Sequence, residues 1–241
     1  MKKINIINAL FVLFTVFSLT SCNVEPIDPL VASQTGGLGN TTGDYWPLAI
    51  GNYWTFSQNG SISDMEVVST EPINGHVYFN FEGMMGQSAS GTTAVNVSTA
   101  AKKVGGDYYI KIDDFSFNAG GLFFNQTGCE YIILKDNLDV NQTWDGSYQQ
   151  VTSSNNPSYP SVTMNTTYLG KIIEKGTTLA VSGVTYTDVI HVEFTQTTTG
   201  TGQNVVTVTN FWFAKNVGPI KSTTSSQGSS YESLLVEYSV N

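Results

Sequence analysis

The sequence contains no arginine, only two cysteines and only two histidines, and charged residues make up 12% of its 241 residues. Phosphate neutralisation requires clustered Lys and Arg, so the missing arginine argues against nucleic acid as a partner. His76 and His191 are too few for a zinc site. No nucleophile elbow or phosphate-binding loop is present. The sequence therefore predicts no metal, no cofactor and no catalytic residue of a familiar type.

The residues that replace charge are mainly Thr, Ser, Asn and Gly. Thr, Val, Tyr and Phe favour strands, whereas Gly, Asn and Ser favour the turns between strands. No amphipathic stretch of helical period reaches the usual length of about ten residues. The net charge of −9 is of the kind that keeps a protein soluble, and it indicates no particular partner. The composition is typical of an all-β extracytoplasmic protein.

The N-terminus carries an export signal. Lys2 and Lys3 precede an apolar run at 4–20, which is short for a membrane span and is typical of a secretory signal peptide covering residues 1–21. Leu19-Thr20-Ser21-Cys22 resembles a bacterial lipobox. That resemblance implies cleavage before Cys22 and its acylation, with membrane lipid as the partner. We expect an outer-membrane location, with periplasmic and cell-surface orientations both open.

Residues 22–43 link the acylated cysteine to the folded domain. Pro26, Pro29 and the Gly-rich run 36–43 interrupt any hydrophobic period. The composition predicts a flexible tether. With Cys22 acylated, Cys129 has no disulfide partner, and we expect it to be a small core residue of a strand.

Residues 44–241 are predicted to form a single β domain. Asn74-Gly75 is a hairpin signal, and Val77, Phe79 and Phe81 alternate after it. A loop is expected at 115–128, and a strand at 162–174 is expected to turn at Gly176. Strands at this spacing predict antiparallel sheets that form an open or curved barrel or a sandwich.

An internal repeat is the second organising prediction. Residues 44–56 share apolar spacing with 137–144, so that Trp54 matches Trp144. Gly51 matches Asn141, and these residue types best tolerate a left-handed turn. The halves would be 44–136 and 137–241, although chance similarity among short β motifs is the alternative. Under this interpretation Leu48, Ile50 and Trp54 belong to the core.

A family resemblance rests on the same residues. Tyr45-x-Pro47-Leu48-x-x-Gly51-Asn52-x-Trp54 resembles a motif of uncharacterised Bacteroidota cell-envelope lipoproteins. A later segment in those proteins is similar to Trp212-Phe213-Ala214 and the residues up to Lys221. The resemblance implies a β protein of the envelope and carries no activity with it.

Five aromatic residues are candidate ligand contacts: Trp46, Tyr53, Tyr108, Tyr109 and Trp212. They could form a stacking platform for sugars or line an apolar cavity, whereas core packing is the plainer alternative. The sequence thus favours a lipid-anchored envelope module that binds a glycan or an apolar ligand, or that is structural.

A carboxylate-dependent glycan hydrolase is the alternative function. It would need two carboxylates across a cleft, and the repeat offers Glu130 and Glu232 as that pair. Asp113 and Asp114 are adjacent and would point to opposite faces of a strand, so a turn role is expected for them.

Replacing Cys22 by Ala should release the protein from membranes, because the acyl attachment point is lost. Detergent phase partitioning of cell extracts measures this directly, with Cys129→Ala as the matched control that should stay in the detergent phase. A Cys22→Ala chain that still partitions with membranes would contradict the lipoprotein prediction.

Overall fold

The computed structural model describes residues 40–58, 60–84 and 97–241. The signal peptide, Cys22 and most of the predicted tether lie outside these residues. The described chain is all-β and forms one open sheet of antiparallel strands. Its fourteen strands are β1 (Tyr53–Gln58), β2 (Ser61–Ile73), β3 (His76–Glu82), β4 (Thr99–Val104), β5 (Asp107–Ile112), β6 (Phe115–Ala119), β7 (Leu122–Gln126), β8 (Cys129–Lys135), β9 (Thr143–Ser154), β10 (Val162–Val181), β11 (Val184–Gly200), β12 (Gln203–Ala214), β13 (Gly218–Ser226) and β14 (Ser229–Ser239).

The sheet consists of two meanders joined side by side. Its order is β6-β7-β9-β10-β11-β12-β13-β14-β1-β2-β3-β4-β5-β8. Strands β9 to β14 follow one another, and β14 pairs with β1 to continue the sheet into the first half of the chain. The β6–β7 hairpin leaves the first meander and pairs with β9 instead of β8. The prediction of open antiparallel sheet is confirmed.

The sheet rolls up so that strand β8, at one edge, covers the inner face of strands near the other edge. The Tyr131 ring lies 5.9 Å from the Tyr148 ring and 5.8 Å from the Phe194 ring. The Trp144 indole donates a 3.0 Å hydrogen bond to the Ile132 carbonyl oxygen on β8. A single sheet can bury one face only against itself or another layer, so this contact creates the core.

The turns that precede β1 and β9, called here the leading turns, have the same backbone hydrogen bonds. The Gly51 amide donates a hydrogen bond to the Val67 carbonyl oxygen, and the Asn141 amide donates one to the Ile172 carbonyl oxygen. Each bond is 2.8 Å long. Both residues have positive φ, 85° and 69°, which Gly and Asn tolerate best. Equivalent positions of a repeat would look alike in this way, and the division into halves stays a prediction.

Three local expectations were wrong. Ile50 is 56% exposed, although Trp54 in the same motif is fully buried. It lies at the tip of its turn, where no second layer can reach it. Residues 115–128 form the β6–β7 hairpin, with Phe115 and Phe117 buried on it. Gly176 does not end its strand. It lies in a bulge where the register of β10 against β11 shifts, and β10 continues to Val181.

The chain enters the fold at a buried carboxylate. The Asp136 side chain is fully buried, and it accepts hydrogen bonds from the Thr41 hydroxyl at 2.6 Å and the Thr42 amide at 2.9 Å. The Tyr108 hydroxyl lies 3.3 Å and the Lys103 ammonium 3.9 Å from the same carboxylate. The last residues of the predicted tether are therefore attached to the end of β8.

Replacing Asp136 by Ala should lower the free energy of unfolding by roughly 3 kcal/mol, because several donors lose their buried acceptor. Urea denaturation of the full chain measures the change. Asp139→Ala, at an exposed position three residues later, is the matched control. Equal denaturation midpoints for the two variants would contradict this role of Asp136.

Candidate functional site

The inner face of the sheet changes from aromatic to polar along the strands. Beyond the core, the inward side chains of β9 to β14, β1 and β2 are mainly Thr, Ser and Gln. Cross-strand pairs connect them, including Thr166 with Thr198 at 2.8 Å and Thr209 with Thr224 at 3.1 Å. We call this region the inner polar surface; its members are Gln150, Thr152, Thr166, Gln196, Thr198, Thr207, Thr209, Ser222, Thr224, Ser226, Tyr231, Ser233, Phe56, Gln58, Ser61 and Ser63.

The inner polar surface opens to solvent on one side. Gln196 is 2% exposed on β11 and Thr207 is 5% exposed on β12, whereas Tyr231 on β14 is 42% exposed. Gln58, which follows on β1, is also exposed. The register places Tyr231 opposite Thr224, on the same face of the sheet. A polar molecule could therefore approach along β14 and β1.

No side chain of this surface carries a charge. The acidic residues nearby point outward, as Glu232 does next to Tyr231 and Asp64 does next to Ser63. A carboxylate or phosphate group would find no ammonium to pair with here. Apart from Phe56 and the inward-facing Met164 and Val205, the surface offers hydroxyl and amide groups, which suits hydrogen bonding to a neutral ligand.

Gln150 is the one member whose buried side chain lacks a bond at its amide nitrogen. It lies on β9, opposite Met164, and is 2% exposed. Its Nε2 has no hydrogen-bond partner among the described residues. Because leaving a buried donor unpaired is costly, a small rearrangement that brings this amide to a ligand acceptor would be favourable.

Aromatic rings form the floor between this surface and the core. Tyr168 and Phe194 stack at 5.3 Å, and the Tyr148 hydroxyl accepts a 2.6 Å hydrogen bond from the Gln196 amide. Glycines make room for the rings, because a Cβ at Gly146 would lie 2.3 Å from the Tyr168 hydroxyl oxygen. Rings beside hydroxyl groups provide both stacking and hydrogen bonding.

Two of the five aromatic candidates are core residues. Trp46 is 3% exposed and Tyr108 is fully buried. The Trp46 ring lies 5.6 Å from the Phe81 ring and 6.0 Å from the Phe213 ring, and its Nε1 has no partner among the described residues. The Tyr108 hydroxyl accepts a 2.8 Å hydrogen bond from the Tyr45 amide. Both therefore support the fold where the chain enters it.

The other three candidates lie on the outer face and apart from one another. Trp212 stacks with His191 at 4.3 Å, and the Lys221 ammonium lies 5.2 Å from its ring. Because neighbours flank this indole, it is no open stacking platform. The Tyr53 hydroxyl donates a 3.0 Å hydrogen bond to Glu237.

Tyr109 belongs to a separate cluster around a buried lysine. The Lys102 ammonium lies 4.6 Å from the centres of the Tyr109 and Tyr78 rings and 2.7 Å from the Glu130 carboxylate. The Tyr78 hydroxyl donates a 2.5 Å hydrogen bond to the same carboxylate. The cluster joins β3, β4, β5 and β8, and its own lysine fills the space between the rings.

The carboxylates of the hydrolase alternative are not brought together. Glu130 lies on β8 and Glu232 on β14, six strands away in the sheet, where it pairs with Lys221 at 2.6 Å. Asp113 pairs with Lys111, and Asp114 accepts the Gly128 amide, as a turn role predicts. Within the described ranges, no group of three or more His, Cys, Asp or Glu could hold a metal ion.

Sequence reasoning missed the inner polar surface, although part of its signal was present. In β11, Gln196 and Thr198 continue the alternation that places Val192 and Phe194 in the core. Polar residues at core-facing positions are unusual and could have been noticed. Eight strands place such residues on one concave face. This arrangement depends on how the strands pair, so it could not be read from any single strand.

Comparisons with known proteins identify the fold. No protein-family model and no curated protein matches the sequence. A solved structure of a candidate lipoprotein from Parabacteroides distasonis is 13% identical, with a TM-score of 0.54 over 83% of this chain and 100% of that chain. A candidate exported protein with a YmcC-like fold from Bacteroides fragilis is 12% identical, with a TM-score of 0.48 over 80% and 98%. At such identity the first likeness shows a shared fold alone. Nothing in the described part of the chain forms a helix with the length and hydropathy of a membrane span.

Alkaline titration should show that tyrosines around this core ionise late. Burial raises the pKa of Tyr131 well above 10.0, and it raises the pKa of Tyr109 to about 12. The neutral phenol is the form that the fold favours, so stability is complete below pH 10 and falls as the pH rises from there. Ultraviolet absorbance of tyrosinate, recorded with circular dichroism, should show a late phase that accompanies unfolding.

Tyr109→Phe should reduce the absorbance change near pH 12 and leave the earlier phase unaltered. If all 12 tyrosines of the chain ionised together near pH 10 with the fold intact, the burial argument would be wrong.

Proposed function

We propose that this chain is an exported, lipid-anchored cell-envelope protein that binds a neutral glycan along the inner polar surface. The observation that carries the binding proposal is a concave, uncharged surface of hydroxyl and amide groups beside aromatic rings. Within it lies Gln150, whose amide nitrogen has no partner in the part of the chain that the structure describes. Sugars present hydroxyl groups and apolar ring faces, and this surface provides partners for both.

The lipobox-like residues ending at Cys22 support the anchor. The fold shared with a candidate lipoprotein of Parabacteroides distasonis is in keeping with an exported location. The outer membrane is the proposed site of anchoring, and no arginine is present that would serve a nucleic-acid partner.

The alternatives require features that the surface does not offer. An apolar ligand would be held by aliphatic side chains, whereas Thr, Ser and Gln dominate here, and the exposed members would lose water without a polar partner in the ligand. A hydrolase would need paired carboxylates at the binding surface, and the charged residues nearby face outward.

The binding proposal predicts affinity for neutral oligosaccharides in titration calorimetry with the full chain. Gln150→Leu and Thr224→Val should each weaken binding roughly tenfold, because one hydrogen bond is lost. Thr223→Val is the matched control, since Thr223 is the outward-facing neighbour with similar half-burial. Its affinity should equal that of the wild type.

Three results would count against glycan binding at this surface. One is the absence of binding across a panel of neutral glycans. The second is an equal loss of affinity in Thr223→Val. The third is unchanged affinity in both inner-face variants, each shown to be folded by circular dichroism.

A further inference from the structure

The two ends of the rolled sheet differ in what they carry. At one end, called here the tether end, Thr41 and Thr42, which follow the first described residue, bond to Asp136. The leading turns at 47–52 and 137–142 and the tip of the β10–β11 hairpin lie at this end. The inner polar surface opens at the opposite end, where β11–β12 and β13–β14 are connected.

Aliphatic side chains project from turns at the tether end. Ile50 is 56% exposed and Val140 is 45% exposed, one on each leading turn. Each immediately precedes the residue with positive φ, Gly51 or Asn141. Val184, next to the tip of the β10–β11 hairpin, is 49% exposed. Turn positions are normally polar, and the backbone conformation of these turns does not require an aliphatic side chain.

Three lysines at this end have partners within the protein. The Lys175 ammonium donates to the carbonyl oxygens of Asp136 and Leu138 at 2.7 and 3.0 Å. Lys103 donates to the Gly43 carbonyl at 2.7 Å, and Lys135 pairs with Asp107 at 2.6 Å. A partner of this end would therefore be attracted by its apolar side chains more than by positive charge.

The predicted acyl anchor at Cys22 and its short distance along the chain from Asn40 point to the lipid bilayer as that partner. Between Cys22 and Asn40 lie 17 residues, and a flexible chain of that length spans roughly 23 Å. An acylated Cys22 would hold the tether end within that distance of a bilayer. Exposed aliphatic side chains beside an acyl anchor can enter the interfacial region of the lipid, which adds to the attachment.

We propose that the tether end rests on the lipid bilayer through Ile50, Val140 and Val184, so that the inner polar surface opens away from the membrane. This inference depends on the lipid anchor of the proposed function and is independent of the glycan. It assigns a function to two exposed leading-turn residues that the fold itself does not need.

Fluorescence of an environment-sensitive probe can test this contact. The full acylated chain carries Ile50→Cys or Val140→Cys labelled with a nitrobenzoxadiazole maleimide and is reconstituted into vesicles of phosphatidylethanolamine and phosphatidylglycerol. Ile62→Cys is the matched control, because Ile62 is 62% exposed beside the β1–β2 connection at the opposite end. The unsubstituted chain, in which Cys129 is buried, provides the blank.

We expect the probe at positions 50 and 140 to shift to shorter wavelength, to gain about twofold in intensity and to be quenched by nitroxide lipids, as interfacial burial requires. The probe at position 62 should do none of these.

The outcomes separate the anchor from the contact. If the chain co-sediments with vesicles but no position responds, the bilayer contact is overturned and the anchor stands. If position 62 responds as strongly as position 50, the proposed orientation is wrong. If the acylated chain fails to co-sediment, the anchor fails, and the contact that depends on it is overturned as well.

Discussion

The contact of β8 with β9, β10 and β11 is the interaction on which the structure depends. A sheet of fourteen strands has an apolar face that must be buried, and no helix or second sheet is described that could cover it. Tyr131 meets Tyr148, Tyr168 and Phe194 only because the sheet curls through its whole width. Strand twist and the irregular register of β10 with β11 provide that curvature.

The same curvature explains why a polar surface lies inside the molecule. Strands β9 to β14 continue past the rings of the core, and their inward positions then have no apolar layer to face. Thr, Ser and Gln at these positions bond to one another across strands, as Thr207 does to Ser226 at 3.0 Å. A concave surface with satisfied hydroxyl groups can bind a neutral ligand without first requiring that charges be removed from water.

Much of the fold could be predicted because its signals are local. Alternation at Val77, Phe79 and Phe81 indicates a strand, and Asn74-Gly75 indicates its turn. The predictions failed where neighbours decide the outcome. Ile50 is of a residue type common in cores but lies at the tip of a turn. Gly176 lies in a bulge instead of a turn because the partner strand β11 continues beside it. Two of the five aromatic candidates, Trp46 and Tyr108, are buried where the tether enters, which no single stretch of sequence indicates.

The sequence by itself determined the all-β class, the antiparallel hairpins, the acidic and arginine-free surface and the predicted export signal ending at Cys22. These follow from residue types and from spacings of a few residues. The tertiary structure alone decided which face of each strand is concave, that Glu130 and Glu232 lie six strands apart, and that the amide nitrogen of buried Gln150 has no partner among the described residues. The physical reason is that pairing between distant strands sets curvature, and curvature determines which side chains share a surface.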